Sequence, residues 1–424
     1  MSATARADLR RGACPGLSAP MQTGDGLLAR LMPSGTMSPK TLKGLCAAAD
    51  EHGNGIIEIT SRGSIQIRGL TDKSARKFAT TLRQLGLARR EGIPVISDPL
   101  AGLATEQEVD AEMFAAPLRR ALAPRRFALP LAPKVSVAVD GNAGAMHLDG
   151  LAADVRLRAA GNNEDLWWHV ALGGNAESAS PIGAIRAKHF VETVTLLLSV
   201  IARHGGTARA RDVIATEGLD VFRIALGNRL AHAPLLPSRP CAEPIGIHEI
   251  CGLQVAIGIG FAFGHSDAAG LKKLVDALAV KEVSYRAAPG RSLLIIGIAP
   301  KHVDSLKAKA ERLGFIVEPN DPRRRVVACA GAPICASGEI AARALAPGVA
   351  ELVAPQLDPG EVIHISGCAK SCAHHGRAAL TVIGRNGACD LLVDGAPAGS
   401  CIAEQLPQRL EQLARRPQPK VRHG

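Results

Sequence analysis

Leu42–Asp50, LKGLCAAAD, and Gly63–Leu70, GSIQIRGL, are answered in the second half of the chain by Leu271–Val280, LKKLVDALAV, and Arg291–Ile298, RSLLIIGI. Leu42, Lys43 and Leu45 fall opposite Leu271, Lys272 and Leu274. Ser64, Ile65, Ile67, Gly69 and Leu70 fall opposite Ser292, Leu293, Ile295, Gly297 and Ile298. The offset shifts by one residue between the two blocks, as a single loop deletion would produce. Each copy reads as strand, helix, strand. The apolar residues of LKGLCAAA recur at helical spacing, whereas IEIT and SIQIRGL alternate or run apolar as strands do. Ser38-Pro39 supplies an N-cap and a first-turn proline, and Gly53 and Gly55 a stop. Ser266 or Asp267 caps the second copy. A repeat this long is not a solenoid. It predicts a duplicated chain whose halves pack about a pseudo-twofold axis.

Working outward, a longer mixed region follows each copy. The expectation is an α+β protein with half-repeats at 20–75 and 245–318 and larger α/β domains at 76–233 and 319–415. Residues 234–244, with four prolines, form a linker, and 416–424 a frayed tail. Residues 104–123 and 181–204 read as helices, Lys134–Val139 and Leu166–Leu172 as strands.

Composition narrows the function classes. At 424 residues, 47% hydrophobic and 21% charged, the chain is an ordinary globular one, long enough for two to four domains. No apolar run reaches the ~18 residues of a membrane span. The greasiest stretch, Val194–Ala202, is interrupted by Thr195 and Ser199. No apolar core follows the basic Met1–Arg11, so the cytoplasm is the expected compartment. The net charge of +11 favours a polyanionic partner. Aromatic residues are only 3%, too few for stacking bases, so a polycarboxylate small molecule suits this charge and nucleic acid does not.

Ten cysteines are too sparse for a disulfide scaffold. Four fall in two close pairs: Cys329 and Cys335 in CAGAPIC, Cys368 and Cys372 in GCAKSC. Four thiolates can hold zinc or an iron–sulfur cluster. Gaps of five and three are wide for a zinc knuckle and suit a bulky cubane. Pro333 interrupts regular structure, and Gly367, Ala369, Ser371 and Ala373 let backbone come close. Apolar EVIHIS reads as a strand delivering the second pair. Cys46 and Cys401 read as core residues, and Cys14 as a loop residue within reach of a ligand.

CAGAPIC with GCAKSCAHHG, TSRGSIQIRGL and the duplication resemble the siroheme-containing sulfite and nitrite reductases over roughly residues 20–400. The resemblance implies ferredoxin-like half-repeats, and a [4Fe–4S] cluster on Cys329, Cys335, Cys368 and Cys372. In the reductases the last cysteine also bridges to the haem iron. RRGACPGL, APMQTGDGLLARLMPSG and the shorter chain look, within that superfamily, like the precorrin-3B synthases of aerobic cobalamin biosynthesis. That likeness implies an oxygenase that hydroxylates C20 of precorrin-3A and closes a γ-lactone from the ring A acetate. Its reactants would be dioxygen and NADH or an electron-donor protein. The alternative is a siroheme-dependent nitrite or sulfite reductase.

The same resemblance selects basic residues over the macrocycle: Arg62 in TSRGS, Arg209 and Arg211 in TARARD, and Lys134 in LAPKVSV. In an extended segment Arg209 and Arg211 would share one face. Pro133 stands where the reductases carry arginine, a departure that favours the synthase. The synthase likeness also admits a mononuclear non-haem iron. His248, His265, His364, His374 and His375 could serve it, but spacing does not select among them. His374, His375 and Arg377 could instead meet cluster or substrate. GIGFAFG, Gly258–Gly264, is a poor nicotinamide motif because it opens no helix.

Overall fold

The computed structural model describes residues 15–33, 35–87, 92–124, 126–161, 165–278, 283–358, 360–374 and 376–415. Cys14, His375 and the expected tail lie outside the described residues.

The first half opens with β1 (Met21–Thr23), β2 (Gly26–Leu31), α1 (Pro39–His52), β3 (Ile56–Ile59), β4 (Ile65–Leu70) and α2 (Asp72–Gln84). Helix α1 starts where the sequence places it: Ser38 Oγ accepts the Thr41 N–H at 3.1 Å, with Pro39 in the first turn. Leu42, Leu45, Cys46 and Ala49 form its buried stripe. Then come β5 (Val95–Ser97), α3 (Glu112–Ala121), β6 (Val137–Asp140), β7 (Ala153–Ala160), β8 (Trp167–Gly174), β9 (Ser180–Arg186), α4 (Phe190–Arg203), α5 (Ala210–Glu217) and α6 (Asp220–Leu226).

The second half repeats the plan. It comprises β10 (Gly246–Glu249), β11 (Val255–Gly260), β12 (His265–Asp267), α7 (Ala268–Ala277), β13 (Ser284–Ala288), β14 (Ser292–Ile298) and α8 (Val303–Arg312). There follow β15 (Val326–Ala328), α9 (Ala342–Leu352), β16 (Ile363–Ser366), β17 (Leu380–Arg385), β18 (Ala388–Val393), β19 (Ala396–Ile402) and α10 (Leu406–Ala414).

Strand registers show that the duplication covers both halves in full. Arg30 pairs with Gln66 as Gly258 pairs with Leu294, and Glu58 with Gln66 as Arg286 with Leu294. The halves also exchange backbone across the pseudo-twofold axis. Ser266 of β12 pairs with Ile57, and Met37 bridges Tyr285. One core spans both small sheets, from Leu31, Leu45, Ile67 and Phe78 to Leu271, Ile295 and Phe315. The larger sheets match too. Strands β5, β6 and β7 are mutually parallel and β8 and β9 antiparallel, and β15–β19 repeat that order.

Four expectations change, one of them the helix read over 104–123, which starts only at Glu112. The boundary at 75 cuts through α2, whose Phe78 and Leu82 belong to the shared core. The helix expected over 181–204 begins only at Phe190. Before it lies β9, where Ile182 and Ala184 alternate inward with period two. The proline-rich 234–244 is irregular but anchored: Arg239 lies 2.5 Å from both Asp140 Oδ2 and Asp149 Oδ1.

Candidate active site between the cysteine loops and the first sheet

The two cysteine pairs leave the carboxyl ends of neighbouring parallel strands, where backbone groups are no longer paired within the sheet. Cys329 follows β15 and donates its N–H to Ile365 O at 3.1 Å. Gly367 follows β16 and donates to Cys329 Sγ at 3.0 Å. A Cβ on Gly367 would stand 2.9 Å from Gly331 Cα and 3.3 Å from Cys329 Sγ, so only glycine lets the loops meet. Burial raises the Cys329 thiol above its ordinary pKa, and the Cys335 and Cys368 sulfurs add to the rise, so three of the four thiols lie within electrostatic reach. Cys372 is exposed on the same loop as Cys368, with Sγ 3.8 Å from Lys370 O.

Opposite the loops stands the outer face of the first small sheet. In β2, β3 and β4 the residues alternating with core Ile57, Ile59, Ile65 and Ile67 are Arg30, Glu58, Gln66 and Arg68. Glu58 is 5% exposed. Arg68 Nε contacts it at 3.0 Å, and Arg343 Nη2, from α9 of the cysteine domain, at 2.6 Å. Burial alone would raise the Glu58 carboxyl, but the two guanidinium groups hold it below its ordinary pKa. Assigned by its partners, the Gln66 amide nitrogen faces Glu58 Oε2 at 2.9 Å and its oxygen faces Arg30 Nη2 at 2.5 Å. Arg68 Nη1, Arg343 Nε and His265 Nδ1 are buried without a hydrogen-bond partner. Of these, Arg343 Nε is a buried donor left over, while Arg68 Nη1 has the Asp25 carboxylate at 3.7 Å.

Two clamps fix the face to the loops. The β1–β2 turn donates Gly24 N–H to Ile334 O at 3.1 Å, inside the first cysteine loop. Its Asp25 accepts from Asn54 at 3.1 Å and lies 3.7 Å from Arg68. Arg291, after β13, donates to Ala373 O at 3.3 Å, beside Cys372.

The pseudo-twofold copy of this place is filled. Strand register puts Asp98 at the position of Cys329 and Asn142 at that of Cys368. Gly141 N–H donates to an Asp98 carboxylate oxygen, as Gly367 N–H does to Cys329. Cys251 N–H donates to Leu103 O, as Gly24 N–H does to Ile334 O. Counting along the same register, Ala104 and Met146 stand for Cys335 and Cys372. They pack with Leu100, Ala143, Ala256, Ala288, Leu294 and Ile296 into one apolar cluster. Leu294 and Ile296 are the counterparts of Gln66 and Arg68, and Arg286, the counterpart of Glu58, donates to Pro99 O at 2.6 Å. Duplication made two such places, and only one keeps thiols under a polar face.

The basic residues selected from sequence fare differently. Arg62 is half-buried where the halves cross, its backbone bridging Pro289. Arg209 is engaged elsewhere: Nη2 and Nε reach Asp154 at 2.7 and 2.8 Å, and that carboxylate's side chain is 2% exposed. Arg211 points to solvent with a side chain 75% exposed. The chain turns helical at Ala210, so positions two apart diverge instead of sharing a face. Lys134 sits exposed in the turn before β6. Arg377 is exposed and paired with Asp394 at 3.0 Å. The rings of His364 and His374 lie 5.8 Å apart. Among the described residues, potential ligands to a single metal ion converge at Asp140, His147 and Asp149, and there Arg239 already supplies the positive charge. GIGFAFG runs from β11 through a short turn into β12, and no helix opens before Ala268.

The sequence reading missed Arg30, Glu58, Gln66, Arg68 and Arg343. A signal for two of them was present: Gln66 and Arg68 alternate with isoleucine in IQIRGL, whereas the repeat carries Leu294 and Ile296 there.

The fold belongs to the class of nitrite and sulfite reductases. Residues 19–85 match the family described as nitrite/sulfite reductase ferredoxin-like half domain. The solved structure of the Mycobacterium tuberculosis NirA protein superposes with a TM-score of 0.75 over 92% of this chain and 80% of that one, at 19% identity. A sulfite reductase [ferredoxin] of Mycolicibacterium paratuberculosis is 25% identical over 80% of this chain and 66% of its own length. A precorrin-3B synthase of Sinorhizobium is 36% identical over 93% of this chain and 85% of its own. The chain therefore belongs to the precorrin-3B synthase family.

Proposed function

We propose that the chain converts precorrin-3A to precorrin-3B. It would hydroxylate C20 and close the ring A acetate to a γ-lactone, with dioxygen as oxygen donor and NADH or a reductase partner as electron source. The observation that carries this reading is the single polar face opposite the cysteine loops, whose counterpart in the other half is packed shut. A precorrin carries many carboxylates. Arg30, Arg68 and Arg343, with Arg343 Nε left without a hydrogen-bond partner, supply the fork-shaped donors that such a substrate needs. Glu58, kept ionised, holds Arg68 and Arg343 together on this face and offsets the repulsion between their charges. Arg62 is a further candidate at the same crossing of the halves. Arg209, Arg211 and Lys134 are not proposed as substrate contacts.

Cys329, Cys335, Cys368 and Cys372 would hold a [4Fe–4S] cluster. Four soft thiolates on two glycine-lined loops, with the Gly367 N–H directed at the Cys329 sulfur, fit that group. When bound, it supplies one-electron transfer. The chain's own task is to hold the macrocycle flat against the β2–β4 face, so that its meso edge and the ring A acetate stand in one fixed orientation.

The test is anaerobic purification followed by iron, labile-sulfide and pigment assays, then incubation with precorrin-3A, dioxygen and reductant. The expected result is cluster without siroheme, and a product heavier by one oxygen atom. Co-purified siroheme with sulfite or nitrite reduction would replace this reading with the reductase one. Cys335→Ser is expected to lose iron and visible absorbance while keeping its far-UV circular dichroism; an undiminished cluster would remove Cys335 from the ligand set.

A further inference from the structure

Two cysteines outside the proposed ligand set face each other. Cys389 of β18 and Cys401 of β19 are direct cross-strand partners in the cysteine domain, both free. Directly opposed residues of antiparallel strands have Cα atoms about 4.5–5.5 Å apart, inside the range a disulfide spans. Each thiol also lies within the electrostatic reach of the other. Their exposure differs: Cys389 is fully buried, whereas Cys401 is partly open on the edge strand and lies within the field of Arg409. The same row of the sheet continues through Gly384, the partner of Cys389, to Gly367, whose N–H meets Cys329. The pair is peculiar to this half. By register its counterparts are Trp168 and Ile185, ordinary core.

We propose that Cys389 and Cys401 form a two-electron redox pair that closes to a cross-strand disulfide on meeting a low-molecular-weight disulfide or a peroxide. With a small disulfide, the Cys401 thiolate attacks one sulfur and releases one small thiolate. Cys389 then attacks the Cys401 sulfur of the mixed disulfide and releases the second. The two cysteines lose two electrons and two protons, and the small disulfide becomes two thiols. With peroxide, Cys401 takes one oxygen atom as a sulfenic acid with loss of water, and Cys389 displaces that oxygen as a second water. Cys401, the open thiol, reacts first, and Cys389 resolves. Burial raises both thiols, Cys389 to about 12, and at Cys401 the charge of Arg409 works against that rise. The closed pair ties the edge strand β19, and α10 behind it, to the sheet that carries the cysteine loops.

The sequence makes the test clean. No lysine or arginine lies between Asn386 and Gln408, so both thiols fall in one tryptic peptide ending at Arg409. The full chain, purified under reduction, is incubated with oxidised glutathione, alkylated under denaturing conditions, digested and weighed. The expected result is a fall from two alkyl groups on this peptide to none, with two hydrogens lost, restored by reduction. In Cys389→Ser the reaction is expected to stop at a glutathione adduct on Cys401. Two alkyl groups retained after prolonged oxidation, or a wild-type adduct at Cys401 that never resolves, would overturn the proposal.

Discussion

Gly24→Ala tests whether the β1–β2 turn holds the first cysteine loop in place. A Cβ there would stand inside contact distance of the Pro333 carbonyl oxygen and 2.9 Å from Ala336 N, both backbone atoms with no side-chain freedom to yield. The turn must lift away, which removes the Gly24 N–H to Ile334 O bond. Overpacking of this kind costs about 1–3 kcal/mol and the lost hydrogen bond about 1 kcal/mol more, so the clamp is weakened by roughly 2–4 kcal/mol. At about 1.4 kcal/mol per tenfold, cluster release through an opened loop accelerates by about thirty-fold to several hundred-fold. The assay is the rate at which an iron chelator bleaches the visible absorbance of reconstituted protein, with far-UV circular dichroism confirming the fold. Gly16→Ala serves as the control, since a Cβ there meets nothing within 4 Å. Equal bleaching rates for Gly24→Ala and wild type would refute the clamp.

Three further outcomes follow from the same geometry. Arg209→Ala strands the buried Asp154 carboxylate with only the Ser136 and Ala210 N–H groups, at a cost of about 3 kcal/mol; a thermal melt should show that loss while the substrate dissociation constant stays put. Arg68→Ala removes a proposed carboxylate anchor and should weaken substrate binding at least ten-fold in a titration run well below the melt, which itself falls because Glu58 keeps only Arg343 as ion-pair partner. Glu58, whose folded pKa lies below its ordinary value of 4.5, adds stability that is present above that value and lost as the pH falls through the folded one. An acid titration should therefore loosen the sheet from the cysteine domain only at the acidic end, and Glu58→Gln should flatten that limb.

The duplication was legible because core residues repeat: helical spacing in LKGLCAAA and strand alternation in SIQIRGL are local patterns. The residue-by-residue match of the larger domains was not, because β5–β9 and β15–β19 share topology and register while their residues diverged; CAGAPIC and DPLAGLA occupy one structural position with little in common. The cysteine loops were visible as spacing. Of the polar face, Gln66 and Arg68 showed in their alternation with isoleucine, but which side of a strand meets a partner is decided by packing far away in sequence. Residue type misled at Arg209. An arginine in a basic run reads as anion-binding, yet its anion is Asp154, a carboxylate of the protein itself.

The filled copy of the proposed site gives the last prediction. Met146, 4% exposed, occupies the place of Cys372 and closes the apolar cluster of Leu100, Ala104, Leu294 and Ile296. That cluster sits where the proposed substrate space lies in the other half, so the plug and the substrate space are alternative solutions to one packing problem. An unfilled duplicate would leave a cavity in contact with a sheet face, and apolar side chains close it at a gain of about 25 cal/mol per Å² buried. With Leu294 and Ile296 where Gln66 and Arg68 stand in the other half, the charge left on that face is Arg286, which is bonded to Pro99 O. Met146→Ala should therefore cost about 2–4 kcal/mol in a denaturant or thermal melt, as core truncations do, and leave the stoichiometry of substrate binding at one per chain. A second equivalent bound by this variant would show that the two halves still differ only by a plug, and that the polar face of β2–β4 is not what selects the substrate.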